Sequence, residues 1–368
     1  MKKVLYYLNE CLLGNPGIEK KCNGQIKAFQ RLGYSVDVHQ FSDLNHSKRL
    51  VNNQIVEHFQ EGYFNRKKFI FDYSEILNFI NANKYDLIYI RYTYFSNFIF
   101  FRFLKEIKKN NPNCKIVIEI PTYPYDREVN LKFNSKSLFR VIERFSRGDF
   151  SKYINYVVTY SSDSSIFGVE AINIENAIDA DIIETVKPVP KKDTLNILCL
   201  ANFSFWHGYD RLLNGLFEYR GKKNVVIYFV GSGNEVDNLK AITEKNSLWG
   251  KVKFLGIKTG FELDEVINNI DIAVDSLGRH RSGHNENSSL KSKEYLAKGL
   301  PFIKSHADKA IDELKLNSVF QVSADESPID IKELINWFEQ TGNSNEELIN
   351  AAKQFTWDNQ IKKVISKL

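Results

Sequence analysis

Short apolar runs recur along this chain, separated by stretches whose apolar residues return every three or four positions. VLYYL (4–8) reads as a buried strand, a loop with Gly14, Asn15, Pro16 and Gly17 follows, and IEKKCNGQIKAFQRLG (18–33) has helical spacing that stops at glycine. YSVDVHQF (34–41), DLIYIRY (86–92), KIVIEI (115–120), YVVTYS (156–161) and AINI (171–174) read as further strands with helical stretches between them. Strand-helix-strand order of this kind predicts a parallel sheet covered by helices on both faces. The pattern weakens at ETVKPVPKKDT (184–194), rich in Pro and Lys, and then starts again with LNILCLANF (195–203), NVVIYFVGSG (224–233), KVKFLG (251–256), DIAVDSL (271–277) and LPFIK (300–304). At 368 residues the chain is too long for one ordinary core. The expected fold is therefore α/β: two doubly wound Rossmann-like domains, residues 1–184 and 195–355, facing across a cleft, with residues 356–368 as an amphipathic closing helix. Open α/β sheets bind ligands at the carboxyl ends of their strands, so the cleft is the expected active site.

Composition narrows the class. Hydrophobic content of 43% and charged content of 26% are those of a globular protein. The start, MKKVLYYLNECLLG, has a Lys pair, but Asn9 and Glu10 interrupt its apolar part and no small-residue cleavage site follows, so secretion is not expected. SNFIFFRFLKEIKK (96–109) is broken by Arg102 and Lys105 and is too short for a membrane span. The four cysteines, Cys11, Cys22, Cys114 and Cys199, are scattered, which suggests neither a zinc site nor a disulfide framework and fits a reducing cytoplasm. Residues 1–180 hold 25 Lys/Arg against 19 Asp/Glu, leaving 25 of the 50 basic and 26 of the 45 acidic residues for the rest. The positive excess thus lies in the first half, where GYFNRKKFIF (62–71) and SNFIFFRFLKEIKK mix it with aromatics. Such stretches suit an anionic membrane surface or an anionic acceptor, although a solvated helix face beside a core strand is the commoner origin of any one such patch.

One segment concentrates chemistry. In HNENSSLKSKEYLAKGLPFI (284–303), Glu286 and Glu294 flank seven residues just after DIAVDSL, and hence at the carboxyl end of a strand. SSLKSKEYLAKG reads as the helix that follows, capped by Ser288 or Ser289, with free amides around Ser289 and Leu290. A helix start of that kind attracts phosphate, because unsatisfied donors and the positive dipole end coincide. Glu294 would then stand where a carboxylate accepts hydrogen bonds from a ribose diol, and Glu286 where a sugar attached to the phosphates would sit. In the first domain, EIPTYPYDRE (119–128) follows a strand, making Thr122, Tyr123 and Asp126 candidates for acceptor contact, against a purely structural role for a tyrosine-proline loop. The Asp179/Asp181 and Asp271/Asp275 pairs read as a turn and a strand end rather than a metal site.

These residues resemble a known family. Glu286 and Glu294 reproduce the E-x7-E motif of retaining GT-B glycosyltransferases of the family 4 (group 1) type, and YLAKGLPFI parallels the helix-turn-strand that follows it there. The Gly14/Gly17 loop resembles their glycine loop, Asn176-Ala177-Ile178-Asp179 their N-G-V-D turn, and GSGNEVDNL (231–239) their G-x-G. SLGRHRSGHNENSSLKSKEYLAKGLPFI is similar to a branch acting in bacterial surface-polysaccharide assembly. One departure matters: where the family carries an Arg and, five residues on, a Lys that clamp the diphosphate, ANFSFWHGYDRLL places Asn202 and His207. Developing charge on a departing diphosphate needs preorganised donors, which without a metal are cations and amides. His207, as imidazolium or through one neutral N–H, and Lys291 are the replacements, with Arg279 and Arg281 in the loop before; Lys293 reads as a solvated helix position.

The resemblance implies a metal-independent, retaining hexosyltransferase that needs no cofactor and moves a sugar from a nucleotide-sugar donor to a growing, lipid-linked surface or capsular glycan, with no nucleic-acid partner. The diphosphate falls to Ser289, Leu290, Lys291 and His207, the ribose to Glu294, and the donor sugar with its developing positive charge to Glu286. Gly14, Gly17, Asn202, Gly231, Arg279 and Ile257 complete the expected donor contacts. Two alternatives stand beside this: a sugar-nucleotide epimerase or phosphorylase on the same fold, and a non-catalytic glycosyltransferase-like partner. An NAD-dependent dehydrogenase is disfavoured, since neither opening strand is followed by G-x-G-x-x-G.

Overall fold

The computed structural model describes residues 1–12, 16–59, 70–125, 135–182, 193–283, 285–341 and 345–368. Backbone contacts divide the chain into unit 1, Met1–Glu175 with Trp357–Leu368, and unit 2, Asn176–Thr356. The chain enters unit 2 ahead of the expected linker, most of which (184–192) lies outside the described residues. Ile178 shows why: its amide donates to the Phe355 carbonyl at 2.8 Å, and the residue is buried among the apolar side chains of unit 2.

Unit 1 opens with β1 (Lys3–Leu8), α1 (Pro16–Arg31) and β2 (Ser35–Phe41), followed by a hairpin of β3 (Lys48–Val51) and β4 (Gln54–His58). Asn52 and Asn53 make that turn at φ 50° and 64°, the left-handed pair that a two-residue hairpin needs and asparagine tolerates. Next come α2 (Ser74–Asn83), β5 (Leu87–Arg91), α3 (Phe98–Asn110), β6 (Lys115–Ile120), α4 (Ser135–Ser146), α5 (Phe150–Tyr153), β7 (Tyr156–Thr159), β8 (Ser165–Ile166) and β9 (Val169–Asn173). The sheet order is β4-β3-β2-β1-β5-β6-β7-β9-β8, parallel from β2 to β9 and antiparallel at both margins. Its central strands are covered on both faces, so β5, LIYIR, is buried at every position, as strands of a parallel sheet usually are. Asn97 starts α3 by accepting the Ile99 and Phe100 amides at 2.8 and 3.0 Å.

Unit 2 runs β10 (Thr194–Phe203), α6 (Tyr209–Glu218), β11 (Asn224–Gly233), α7 (Val236–Lys245), β12 (Val252–Gly256), α8 (Gly260–Ile267), β13 (Ile272–Val274), α9 (Leu290–Ala297), β14 (Phe302–Lys304), α10 (Lys309–Asp312), β15 (Val319–Gln321), α11 (Ile331–Thr341) and α12 (Asn345–Ala352). Its six strands are all parallel, in the order β12-β11-β10-β13-β14-β15. This is the doubly wound order, whose switch point lies between β10 and β13, the place where such sheets bind ligands. Leu212, Leu216, Leu334 and Ile335 cover one face of the sheet; Tyr295, Leu296, Ala351 and Ala352 cover the other.

The terminal helix α13 (Trp357–Ile365), expected from sequence as a closing helix, groups with unit 1. Trp357 is 1% exposed, and a Cβ added at Gly24 of α1 would lie 2.2 Å from its ring, so the helix seats only against a glycine there. Arg31 of α1 fixes the contact with two Nε bonds of 2.9 and 3.0 Å to the Asp358 carboxylate.

Candidate functional site

At the end of β13 the chain turns through Asp275, Ser276 and Leu277, all buried. Ser289, rather than Ser288, caps α9: its Oγ accepts the Ser292 amide at 3.0 Å. The Leu290 and Lys291 amides, in the first turn, have no carbonyl within the helix to bond. Asp275 lies beneath this turn at 0% exposure and accepts the hydroxyls of Ser289 and Ser292, each at 2.5 Å. The Lys291 ammonium sits 3.1 Å from its Oδ1 and 3.0 Å from its backbone carbonyl. Burial raises the Asp275 pKa, but Lys291, His306 and the two hydroxyls prevail and hold it well below the usual carboxylate range. The positive charge expected at Lys291 is present, and it is already matched by a carboxylate.

After β10, His207 is buried with its Nδ1 accepting the Ser204 amide at 3.0 Å, which places the ring proton on Nε2. Burial, with Lys291 and Arg279 adding to it, pulls its pKa down to about 3. Of the two forms expected from sequence, the low pKa favours the neutral N–H donor in the free protein. The ring stacks on Tyr209, centroids 5.3 Å apart, and the His207 carbonyl accepts the Leu277 amide at 2.8 Å, so the loops after β10 and β13 are joined. Gly208, at φ +62°, makes that junction possible: a Cβ there would stand 2.4 Å from the Gly278 nitrogen. Arg211, 1% exposed, holds the same turn from behind by donating to the Leu277 carbonyl, and is itself anchored on the Ser323 and Ser327 carbonyls at 3.0 and 2.7 Å.

His207 carries a prediction of pH dependence. The folded ring resists protonation down to about 3, whereas the unfolded ring titrates near 6.5, so within that window protons favour the unfolded chain. Stability therefore falls as pH drops through about 6.5 toward 3, and above about pH 7.5, where the ring is neutral in both states, the residue contributes no slope. If the Nε2–H serves as a donor to the diphosphate, His207→Gln, which keeps an N–H, should retain more kcat than His207→Phe, expected to lose about 10²-fold. Equal losses in the two variants would remove the donor role.

The two glutamates are held differently. Glu286 is exposed; its backbone pairs with Ala307 in an isolated parallel bridge, with Asn287 N to Ala307 O at 2.9 Å and Ala307 N to Asn285 O at 2.8 Å. Its carboxylate makes no hydrogen bond or ion pair among the described residues. Glu294 is half-buried, within α9. Asn176 ties the approach to the helix, donating from Nδ2 to the Ser288 carbonyl at 2.6 Å. Asn202 is exposed at the end of β10, Arg279 half-buried within electrostatic reach of His207, and Ile257, just after β12, 68% exposed. Gly231 has a packing reason of its own: at φ +132°, a Cβ would lie 1.9 Å from the Ala201 carbonyl oxygen of the neighbouring strand.

Two expectations change. Lys293 is not a solvated position; it is fully buried, its ammonium on the Asp308 carboxylate and above the Phe355 ring. Arg281 is engaged by the protein, with the Asp210 carboxylate at 2.8 Å to each of two nitrogens, Glu326 at 3.0 Å and the Phe205 carbonyl at 3.0 Å. In unit 1, Gly17 is exposed at the start of α1 and Thr122 is half-buried. The Tyr123 ring packs edge-on against Phe167 at 5.8 Å. Gly14 and Asp126 lie outside the described residues. The structure thus gathers Ser289, Leu290, Lys291, His207 and Arg279 around the β10–β13 switch point. Sequence reading took Asp275 for a strand end and passed over Ser292 and His306; the signal available was the S-x-x-S at 289 and 292, opening the helix that follows a strand leading into Asp.

GT-B glycosyltransferases are built from two doubly wound units of this kind, and the comparisons agree. A glycosyltransferase from Rickettsia africae superposes with a TM-score of 0.68 at 13% identity, covering 99% of this chain and 97% of that one. Sucrose-phosphate synthase from Thermosynechococcus elongatus gives 0.63 at 12% identity, over 100% and 99%. Anabaena HepE in complex with UDP-glucose gives 0.61 at 18%, over 100% of both chains. Likeness at such identities is likeness of fold. Residues 181–355, nearly all of unit 2, match the family model of glycosyl transferases group 1. No curated protein matches the sequence. The comparisons establish the GT-B fold, and the group 1 family model covers 175 of the 368 residues.

Proposed function

We propose that this chain is a retaining, metal-independent glycosyltransferase that takes a sugar from a nucleoside-diphosphate donor and adds it to a growing, lipid-linked surface or capsular glycan. One observation carries the reading: a capped helix start with free amides at the switch point of unit 2, flanked by Glu286, which has no partner among the described residues, and by Glu294. The diphosphate falls to the Ser289, Leu290 and Lys291 amides, Arg279 and the Nε2–H of His207; the ribose to Glu294; the sugar to Glu286. HepE structures contain UDP and UDP-glucose, which supports a nucleotide-sugar donor. WaaB, a lipopolysaccharide outer core galactosyltransferase that shares the fold with a TM-score of 0.60, supports a surface glycan acceptor. Among the described residues no helix is long and apolar enough to cross a membrane. Exposed Phe98 and Ile99 beside Arg102 and Lys105 on α3, with Phe145 beside Arg144 on α4, support docking on an anionic inner membrane face.

A thermal-shift panel of UDP-, GDP- and other nucleotide sugars tests the donor. One base class should stabilise the wild type, as a ligand at a hundred times its Kd stabilises by about 2.7 kcal/mol, and Glu294→Ala should lose most of that gain. Equal response of both proteins would remove the ribose assignment. No response to millimolar donor would favour the non-catalytic partner, a reading to which the neutral Asn202 and His207 give some weight. Release of an altered sugar nucleotide without acceptor would favour the epimerase.

A further inference from the structure

We infer that Asp275 is a positioning residue for transfer: its buried carboxylate sets the rotation of α9, and so the direction in which the first-turn amides point. The inference rests on the proposed diphosphate site at that helix start. Three side chains of one helical turn converge on this carboxylate, Ser289 and Ser292 at 2.5 Å and Lys291 at 3.1 Å, and His306 Nε2 approaches it to 3.6 Å from the end of β14. The carboxylate is itself immobilised, since the Asp275 amide donates to Ile303 at 2.9 Å, and its carbonyl accepts Lys291 at 3.0 Å and the Tyr209 hydroxyl at 3.1 Å.

The cap depends on this arrangement through proton count. A serine hydroxyl has one proton and two lone pairs. With the Ser289 proton committed to Asp275, its lone pairs face the Ser292 amide, which is the capping bond. Ser292, whose proton also goes to Asp275, holds the helix at its third position, so the amides of Leu290 and Lys291 between them have a fixed bearing. Asp275 also matches the Lys291 charge, so that the amides and the Nε2–H of His207 are what the proposed site offers a phosphate. A bare carboxylate beneath an anion site would oppose binding; its partners offset that charge, and geometry is its remaining contribution.

Charge and geometry separate experimentally. Asp275→Asn removes the negative charge and frees Lys291, so if the carboxylate acted only as a counter-ion, nucleoside diphosphate would bind at least as tightly and turnover would hold. As a positioning residue, it should on replacement lower kcat by about tenfold to a hundredfold with a smaller rise in donor KM, because misdirected donors cost most where charge develops. Ser292→Ala keeps the carboxylate and should move kcat in the same direction by less, which covers the case in which Asp275→Asn does not fold. Amide hydrogen exchange over residues 288–294, measured without donor, should accelerate in both variants. Unchanged kcat in an active protein, or unchanged exchange, would overturn the inference. If the wild type binds no nucleotide sugar, the functional reading fails and exchange alone decides the positioning role.

Discussion

Lys293→Ala is expected to destabilise unit 2 by about 3–5 kcal/mol, because it leaves the Asp308 carboxylate buried without its cation. Both side chains are fully buried, and the ammonium, wedged between Asp308 and the Phe355 ring, connects α9 to the start of α10. Replacing both residues, as Lys293→Met with Asp308→Leu, removes the stranded charge together with the attraction, and buried pairs exchanged for apolar side chains are often neutral. The double variant should therefore be more stable than either single one. Trp206, Trp249 and Trp337 are three of the four tryptophans and all lie in unit 2, so fluorescence during urea unfolding follows that unit. A single-variant cost below about 1 kcal/mol would mean that water reaches the pair.

This pair also shows where sequence reading stopped. Periodicity reports which face of a helix is apolar, and the eight residues of α9, LKSKEYLA, have no clean face because both sides are covered. What covers Lys293 comes from Asp308 and Phe355, distant in sequence, and no local pattern encodes that meeting. The alternating strands and helices were legible because buried parallel strands are apolar throughout and their helices amphipathic. The β3–β4 hairpin was missed although Asn52-Asn53 signalled it, since KRLV and QIVEH are too polar to read as strands.

The unit boundary was misplaced for a different reason. Composition drew attention to the Pro and Lys of 184–194, while the crossing is decided by Ile178 and Asn176, whose bonds to Phe355 and Ser288 hold the preceding turn in unit 2. In unit 1 the chain also buries charges that no motif announced. Glu119, at 0% exposure, accepts Tyr89, Arg91 and Gln25 at 2.8, 2.7 and 2.9 Å; burial raises its pKa, yet Lys21 and Arg91 prevail and hold it at about 2. Motif reading finds residues that face ligands in a fixed order along the chain. Residues such as Asp275 and Glu119, which organise others from beneath, are found only once the fold brings their partners together.

Glu286→Gln should separate the two glutamates most clearly, with kcat falling by about 10²–10³ and donor KM changing little. The bridge to Ala307 fixes the backbone at Glu286 while its side chain stays exposed and uncommitted. A carboxylate of this kind costs little in the free protein and keeps its acceptor capacity for a sugar. In the proposed role its charge would matter most when the anomeric carbon becomes positive, so neutralising it would remove stabilisation specific to the transition state. Glu294, half-buried within α9, would hold a ribose whose contacts are equal in ground and transition states. Glu294→Ala should accordingly raise donor KM by about tenfold or more and leave kcat nearly unchanged, the signature of lost uniform binding. Steady-state kinetics on the donor identified by thermal shift, with each variant beside the wild type, reads both effects. If Glu286→Gln changed only KM, or Glu294→Ala only kcat, the two ends of the donor would have to be exchanged across the helix start. If neither changed, the helix start would not be the donor site.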